Sequence, residues 1–182
     1  MPQLSVNDLT PLALTRLLEL YHVAFEPLRA RTATKQTLDD AEFRALLDLD
    51  SVSIFMAESR DHEPAAFGVM VSDLKMIPWI NPEFYAVQYP EHYATGRIFY
   101  FSTLLVDPKH QKGTAFLRLT REMTRFLADH HAVVAMDCCT HNVEVERLPQ
   151  LVETMCRREA NLVEARQLDS QVFFGYQLTP AA

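Results

Sequence analysis

The amino-acid sequence predicts an α/β fold in which a mixed sheet carries helices on both faces. Three observations predict it. Two amphipathic helical patterns open the chain, a strand, a helix and a second strand follow one another over residues 97–136, and strand-like segments close the chain. A length of 182 residues suits one domain, so we expect a single domain over residues 1–182 with one functional site.

Two helices are expected at the start of the chain. Apolar residues recur at helical spacing over residues 9–25, directly after Asn7 and Asp8, whose side chains can cap a helix. A polar stretch then separates this helix from a second, shorter one, which Thr37 or Asp39 would cap.

The sheet is expected to begin with a hairpin. Residues 51–57 and 66–71 are β-branched, aromatic or apolar, and a polar turn joins them. Residues 97–106 form a nearly continuous apolar strand, typical of the middle of a sheet. A helix over 116–130 and a strand over 132–136 complete a βαβ unit, whose strands should be parallel and whose crossover should be right-handed.

The remaining segments complete the expected order. Residues 73–96 mix aromatic residues with prolines, and we interpret them as a partly helical excursion that either lines a binding pocket or covers the sheet as a structural flap. A further helix is expected over 148–158, followed by two closing strands over 161–164 and 171–177. Residues 4–6 would add an edge strand.

Composition excludes several classes of function. Seventeen Lys and Arg against 24 Asp and Glu give a net charge of −7, which argues against nucleic-acid binding and favours a cationic partner such as an amine. The sequence contains no run of about 18 apolar residues, so we expect no membrane span. Three cysteines at irregular spacing and a polar start after Met1 favour the reducing cytoplasm.

The chemically informative segment runs from Leu104 to Leu117, where a strand, a tight turn and a helix start follow one another. The first turn of a helix carries unpaired N–H groups and partial positive charge, so an anion such as a pyrophosphate is stabilised there. Gly113 and Ala115 would permit close approach of the anion, and Lys109, His110 and Lys112 add donors. The alternative is an ordinary turn with a solvated basic cluster.

This segment resembles the signature of the GCN5-related N-acetyltransferase (GNAT) superfamily. The chain has Leu104-x-Val106, then Asp107-Pro108, then His110-x-x-Gly113-x-Ala115, where the superfamily has Arg or Gln, two residues, Gly, one residue, and Gly or Ala. The expected element order over residues 1–178 is also similar. The resemblance implies a GNAT-like central twisted sheet with helices on both faces. It further implies transfer of an acetyl or other acyl group from acyl-CoA, such as acetyl-CoA, to an amine of a small molecule or peptide.

The resemblance also implies a set of cofactor-binding residues. The main chain of Leu104 and Val106 would bind the pantetheine arm, and the amides from Gln111 to Phe116 would hold the pyrophosphate. Asn142 would face the cofactor or the acceptor. The cofactor-binding residues expected on this basis are Leu104, Leu105, Val106, His110, Gln111, Lys112, Gly113, Thr114, Ala115, Phe116 and Asn142.

Acyl transfer to an amine needs a group that takes a proton from the nitrogen and an acid near the leaving thiolate. The strand over 99–106 holds no carboxylate, so the candidates lie at strand ends and in the excursion. His141 suits the role of base by its ordinary pKa near neutrality. The other candidates are Tyr100, Ser102, Asp137, His92 and Tyr93. If positioning of a neutral amine is enough, oriented amides could polarise the carbonyl without a dedicated base.

The chain departs from the superfamily pattern in three places. His110 stands for the usual Arg or Gln, Gln111 stands for a common glycine, and the helix after Asn142 has Met155 and Cys156 where a tyrosine often acts as general acid. The missing tyrosine and the absence of a carboxylate from the strand support a second hypothesis, a non-catalytic acyl-CoA-binding or regulatory module that kept the cofactor site and lost acid and base. Within the enzyme hypothesis, the excursion could also accommodate a longer acyl chain.

Two further expectations concern metals and self-association. The sequence Cys138-Cys139-Thr140-His141 lacks a second ligand pair at usable spacing, so we expect buried structural cysteines and no metal site. A homodimer formed through sheet edges is compatible with the sequence.

Overall fold

The structure is a computed structural model that describes residues 4–33, 37–110 and 114–178. Its centre is a four-stranded sheet in the order β1-β2-β3-β4, formed by Val52–Glu58, Pro64–Val71, Ile98–Val106 and Val133–Ala135. β1, β2 and β3 are antiparallel, whereas β3 and β4 are parallel. The predicted hairpin, the central strand and the mixed sheet are confirmed.

The first helix, α1, spans Pro11–Phe25. Its cap is Thr10, whose hydroxyl oxygen accepts a hydrogen bond from the Ala13 amide at 3.1 Å. The predicted caps, Asn7 and Asp8, were wrong because they lie in a separate 3-10 helix in which the Asp8 carboxylate turns back to the Ser5 amide.

The second helix, α2, spans Asp40–Leu47 and starts where the sequence indicated. Of the two predicted caps, Asp39 is used. Its carboxylate accepts a hydrogen bond from the Glu42 amide at 2.8 Å, and the Glu42 side chain accepts one from the Asp39 amide at 2.9 Å. This reciprocal arrangement satisfies two amides that the helix itself leaves unpaired.

The excursion between β2 and β3 is partly helical, as predicted. After a 3-10 helix over Leu74–Met76 it forms α3 over Pro82–Gln88 and α4 over Pro90–Ala94. Both helices begin with proline, whose fixed φ suits the first helical position and whose missing N–H is not needed there.

The second half of the chain supplies the helices of the other face. α5 spans Ala115–Asp129 and connects β3 to β4. A short α6 over Thr140–Glu144, which the sequence did not predict, precedes α7 over Leu148–Glu159. A mixed sheet with helices on both faces is therefore the observed architecture.

Each face of the sheet has its own apolar core. On one face, Leu17 and Phe43 from α1 and α2 pack against Ile54 and Tyr100. The opposite face packs against α5, and its buried members are Phe55, Ala57, Ala65, Ala66, Met70, Phe99, Ala115, Leu119 and Met123. Among the described residues, no helix combines the length and apolar composition that a membrane span requires.

The predicted closing strands were wrong. Residues 161–178 form neither helix nor strand, and among the described residues no backbone–backbone hydrogen bond involves them. The strand-like sequence over 171–178 has no neighbouring strand to pair with, so its apolar side chains remain exposed. At the other end of the chain, the predicted edge strand over 4–6 is reduced to one bridge between Leu4 and Ile54, because Val6 already begins the 3-10 helix.

Gly68 in β2 sets how closely α5 packs on the sheet. A Cβ atom at this position would lie 2.3 Å from Met123 Sδ and 2.6 Å from Met123 Cε. We expect Gly68→Ala to lower the free energy of unfolding by about 1 kcal/mol, the lower end for overpacking, because only the flexible end of the Met123 side chain must move. Urea denaturation measures this change. In a Met123→Ala background the same substitution should cost clearly less. An equal cost in both backgrounds would contradict this packing account.

Candidate active site

The candidate site lies where β3 and β4 part. Their pairing runs only from Ile98 with Val133 to Tyr100 with Ala135. β4 ends at Ala135, while β3 continues to Val106. In the part of the chain that the structure describes, no strand therefore covers the β4 side of β3 beyond Tyr100. We refer to this stretch of β3 as the open edge.

A β-bulge at Ser102 determines which main-chain groups face the open edge. Thr103 pairs with Val69 of β2 and Phe101 pairs with Met70, so Ser102 has no counterpart. Such an extra residue interrupts the alternation of a strand. Its effect is visible in the side chains, since Phe101 and Leu104, three residues apart, pack on the same face.

The main chain shows the same shift. Before the bulge, the Arg97 carbonyl accepts a hydrogen bond from the Val133 amide of β4 at 2.9 Å. After it, the Asp107 amide donates to the Ala65 carbonyl of β2 at 2.8 Å. Because main-chain direction alternates along a strand, the amide and carbonyl groups of Leu104 and Val106 point to the open edge. The Leu105 side chain is buried in the core on the α1 face.

The open edge leads to the start of α5. Pro108, Lys109 and His110 form a 3-10 helix, and α5 begins at Ala115 after Thr114. The Thr114 side chain does not cap the helix, so the first amides of this 15-residue helix keep the donor capacity that an anion requires. Ala115 is buried and Phe116 is half-buried. Three predicted ligand residues, Gln111, Lys112 and Gly113, lie outside the described residues.

The turn before α5 is held by a buried carboxylate. The Asp107 side chain is only 6% exposed and forms an ion pair with Arg16 of α1. Its Oδ1 accepts a hydrogen bond from the Lys109 amide at 2.9 Å. Burial alone would raise the pKa of Asp107, but the Lys109 amide and the Arg16 guanidinium together hold this pKa below its ordinary value.

At the point of divergence, three side chains from distant segments meet. The Tyr100 hydroxyl donates a hydrogen bond to Asp137 Oδ1, and the Trp79 ring N–H donates to the Tyr100 oxygen at 3.1 Å. Burial, followed by the negative charge of Asp137, raises the pKa of Tyr100 far above its ordinary value. Tyr100 therefore stays neutral and acts as a hydrogen-bond donor. It orients the carboxylate of Asp137, which is an exposed residue.

The excursion contributes aromatic side chains to the surroundings of this carboxylate. Burial and then the charge of Asp137 raise the pKa of Tyr85 in α3. Trp79 contacts the tyrosine that binds Asp137, and Tyr85 lies within range of the Asp137 charge. His92 packs against Tyr89, with ring centroids 6.4 Å apart. Tyr93 lines a separate cavity of about 330 Å³ at the start of β3, together with Ser72, Asp73, Leu74, Lys75, Gly96 and Ile98.

The other predicted site residues are placed as follows. His141 in α6 contacts Arg31 through its Nε2 at 3.2 Å and lies 3.5 Å from Glu146, so it connects α6 to the segment after α1. Asn142 follows it in the first turn of α6 and is half-buried. Ser102 lies at the bulge, with its hydroxyl 3.4 Å from that of Thr103. The candidate site therefore contains Tyr100, Asp137 and the bulge at Ser102. The His141 side chain contacts Arg31 and Glu146 instead.

The cysteines do not form a reactive site. All three are free thiols. Burial, and then the charge of Asp137, raises the pKa of Cys138 to about 11, which keeps it protonated near neutral pH. Met155 and Cys156 line a small apolar cavity of about 30 Å³ between α7, α5 and the sheet. Across the described residues, His, Cys, Asp and Glu form no group that could hold a metal ion.

Two parts of the site were missed from the sequence. The ion pair between Arg16 and Asp107 joins residues 91 positions apart, and nothing in either local sequence indicates it. The contact between Trp79 and Tyr100 depends on how the excursion folds back. By contrast, Asp137 directly follows a strand, and polar residues at strand ends are a usable signal.

No protein-family model matches the sequence, and no curated protein matches it. Several solved structures, however, are similar to the structure of this chain. The chain is similar to the BH1408 protein from Bacillus halodurans, with 13% identity, 95% of this chain and 98% of the other covered, and a TM-score of 0.53. It is similar to an aminoglycoside acetyltransferase from an uncultured soil metagenomic sample, with 15% identity, 98% and 95% covered, and a TM-score of 0.51.

A third similar structure is AAC(6')-Iy in complex with the bisubstrate analogue CoA-S-monomethyl-acetylneamine. Here the identity is 12%, 97% of each chain is covered, and the TM-score is 0.51. At such identities these likenesses show the fold alone. The chain has a GNAT-like fold, and the resemblance inferred from the motif and the element order is confirmed at that level.

Asp107 should contribute to stability through both of its contacts. We expect Asp107→Ala to lower the free energy of unfolding by about 1–3 kcal/mol, because Arg16 and the Lys109 amide each lose a partner. Asp107→Asn should cost less, since an amide oxygen still accepts from Lys109. Urea denaturation near neutral pH measures both.

The pH dependence follows from the lowered pKa of Asp107. A carboxyl with a lowered pKa in the folded state stabilises the protein above its ordinary pKa of about 3.9, and this contribution is lost as the pH falls through the folded-state value. The stability difference between the wild type and Asp107→Asn should therefore be full at neutral pH and disappear in acid. Equal stability of the two proteins at neutral pH would refute the ion pair.

Proposed function

We propose that the chain is an N-acyltransferase that moves an acetyl or other acyl group from acyl-CoA to an amine of a small molecule or peptide. The observation that carries this proposal is the divergence of β3 from β4 after Tyr100. It leaves main-chain donors and acceptors exposed along a groove that leads to an uncapped helix start. The GNAT-like fold of the chain supports the same reading.

The residues present fit acyl-CoA as co-substrate. Amide and carbonyl groups of Leu104 and Val106 at the open edge suit an extended arm that itself contains amides, such as pantetheine. The first amides of α5, with the preceding loop, suit the pyrophosphate, and Lys109 and His110 add donors at that end. Asn142 is a further candidate for binding either the acyl-CoA or the acceptor.

Acyl-CoA supplies a thioester whose carbonyl carbon an amine can attack. We assign Asp137 as the group that takes the proton from the attacking nitrogen, directly or through water. Tyr100 orients Asp137, and its raised pKa keeps the hydroxyl proton in place for this hydrogen bond. His141 and Ser102 remain further candidates, and Ser102 lies at the bulge where the open edge begins.

The acceptor is proposed to be a cationic amine in solution. Asp137 presents a negative charge and accepts a hydrogen bond from Tyr100, which Trp79 contacts, and the chain as a whole carries a charge of −7. A carboxylate beside aromatic rings stabilises an ammonium group. One similar protein is an aminoglycoside acetyltransferase. Aminoglycosides are polyamines and therefore the first compounds to screen. The three free thiols are consistent with the reducing cytoplasm as the site of the reaction.

The alternative is a non-catalytic acyl-CoA-binding or regulatory module. One observation favours it: Met155 and Cys156 of α7 lie in an apolar cavity and provide no acid for the leaving thiolate. If the protein binds acyl-CoA but releases no free CoA with any amine acceptor in a screen, the result supports the non-catalytic module.

Cofactor binding is tested first. Because the Val106 amide points to the open edge, Val106→Pro removes a donor that the sheet does not use, whereas Val106→Ala keeps it. We expect acetyl-CoA to raise the unfolding temperature of the wild type and of Val106→Ala. Val106→Pro should bind it about 2- to 10-fold more weakly, the loss expected for one hydrogen bond. Absence of any stabilisation of the wild type by acetyl-CoA would exclude the co-substrate.

Proton transfer is tested at Asp137. With an acceptor identified by the screen, Asp137→Asn should lower kcat by roughly 100- to 10,000-fold, as expected when a general base is removed. The dissociation constant for acetyl-CoA should not change. Asp61→Asn in the exposed β1–β2 turn is the matched control and should behave as the wild type. A kcat for Asp137→Asn within twofold of the control, about 0.4 kcal/mol in activation free energy, would remove Asp137 from the mechanism.

A further inference from the structure

A small apolar cavity lies on the α5 face of the sheet, at the point where β3 and β4 part. The last paired residues of the two strands are Tyr100 and Ala135. Their neighbours Phe101 in β3 and Val134 in β4 both line the cavity, whose volume is about 30 Å³. The cavity therefore adjoins the start of the open edge from the side opposite to α1.

Two helices form most of the cavity walls. From α7 the cavity is lined by Val152, Met155 and Cys156, whose spacing of three and four residues belongs to one helix face. Facing them from α5 are, among others, Thr120 and Thr124. Valine, threonine and cysteine have short side chains, so they leave space between the two helices that longer side chains would fill.

The polar atoms in this lining already have neighbours. The Thr120 hydroxyl donates a hydrogen bond to the Phe116 carbonyl at 2.9 Å, and the Thr124 side chain faces the Cys156 thiol. Burial raises the pKa of Cys156, so the thiol stays neutral. A buried water needs two to four polar partners, whereas the rest of this lining is apolar. The cavity therefore favours carbon groups over water.

The position of the cavity matters for the proposed function, on which this inference rests. The proposed reaction places the thioester carbonyl close to Asp137. Asp137 accepts a hydrogen bond from Tyr100, whose side chain belongs to the core on the α1 face. An amine that gives its proton to Asp137 therefore approaches from the α1 face. The carbons beyond the carbonyl have room on the other face, where the Phe101 side chain lies.

We propose that the cavity receives the carbons of the acyl chain beyond acetyl, and that it selects acyl groups of three or four carbons. A water-sized group needs roughly 10–15 Å³ of such a volume, so a cavity of about 30 Å³ accommodates one or two carbons. The side chains of α5 and α7, rather than the excursion, then determine the length of the acyl chain.

The dissociation constants of a series of acyl-CoA thioesters test the proposal, measured by calorimetry on the full chain without an acceptor. Burial of one more methylene should tighten binding roughly 4-fold, so propionyl-CoA should bind about 4-fold more tightly than acetyl-CoA. Butyryl-CoA should bind at least as tightly as propionyl-CoA. Hexanoyl-CoA should bind roughly 10-fold or more weakly than butyryl-CoA, because its last two carbons exceed the cavity.

Two substitutions should shift this order in opposite directions. Met155→Ala enlarges the cavity and should bring the affinity for hexanoyl-CoA to at least that for butyryl-CoA. Val152→Leu adds one carbon to the wall and should remove the advantage of butyryl-CoA over acetyl-CoA. Leu151→Ala is the matched control in the same helix, since Leu151 is 40% exposed and faces away from the cavity; its order should be that of the wild type. Circular dichroism confirms that each variant is folded.

Methyl NMR of the methionines identifies where the chain goes. The signals of Met123 and Met155, which line the cavity, should differ between the acetyl-CoA and butyryl-CoA complexes, whereas that of Met76, which is 44% exposed, should not. Equal affinities across the series, an order that both substitutions leave unchanged, or identical Met123 and Met155 signals in the two complexes would overturn the inference while acetyl-CoA binding still supports the proposed function. A wild type that binds no acyl-CoA would overturn both.

Discussion

One extra residue in β3 determines the character of the candidate site. Without the bulge at Ser102, the alternation that begins at Arg97 would continue, and the main-chain groups of Leu104 and Val106 would be used by β2. With the bulge, they point to the side that β4 has left. The same shift places Leu104 on the α5 face and leaves Tyr100, two residues before the bulge, on the α1 face. The main-chain groups of Leu104 and Val106, proposed for binding, and the Tyr100 side chain, proposed to orient Asp137, thus come from neighbouring stretches of one strand.

The groove along the open edge has a defined end only if the last residues of β3 are held in place. Asp107 is the first residue after β3, and its carboxylate joins the turn to Arg16 in α1 as well as to the Lys109 amide. A buried carboxylate with two such partners is stable only in its ionised form near neutral pH. The 3-10 turn that follows β3 is thereby fixed relative to α1.

Much of the architecture could be predicted because it depends on local patterns. The apolar run of β3 and the helical periodicity of α5 predicted a parallel βαβ unit, and Asp39 was recognisable as a cap. The bulge was not predictable, because Ser102 in an apolar run carries no signal of its conformation. Nor was the partnership of Tyr100 with Asp137 and Trp79, which depends on the path of the excursion. The closing strands failed for another reason: the sequence over 171–177 has the residue types of a strand, but a strand also needs a neighbour.

The shortness of β4 connects these observations. Because β4 has only three residues, it covers only the beginning of β3 and leaves the open edge on its inner side. On its outer side it leaves Val134 without a strand among the described residues. A longer fourth strand would close the groove, whereas a strand added outside β4 would not, since it pairs with the opposite row of main-chain groups.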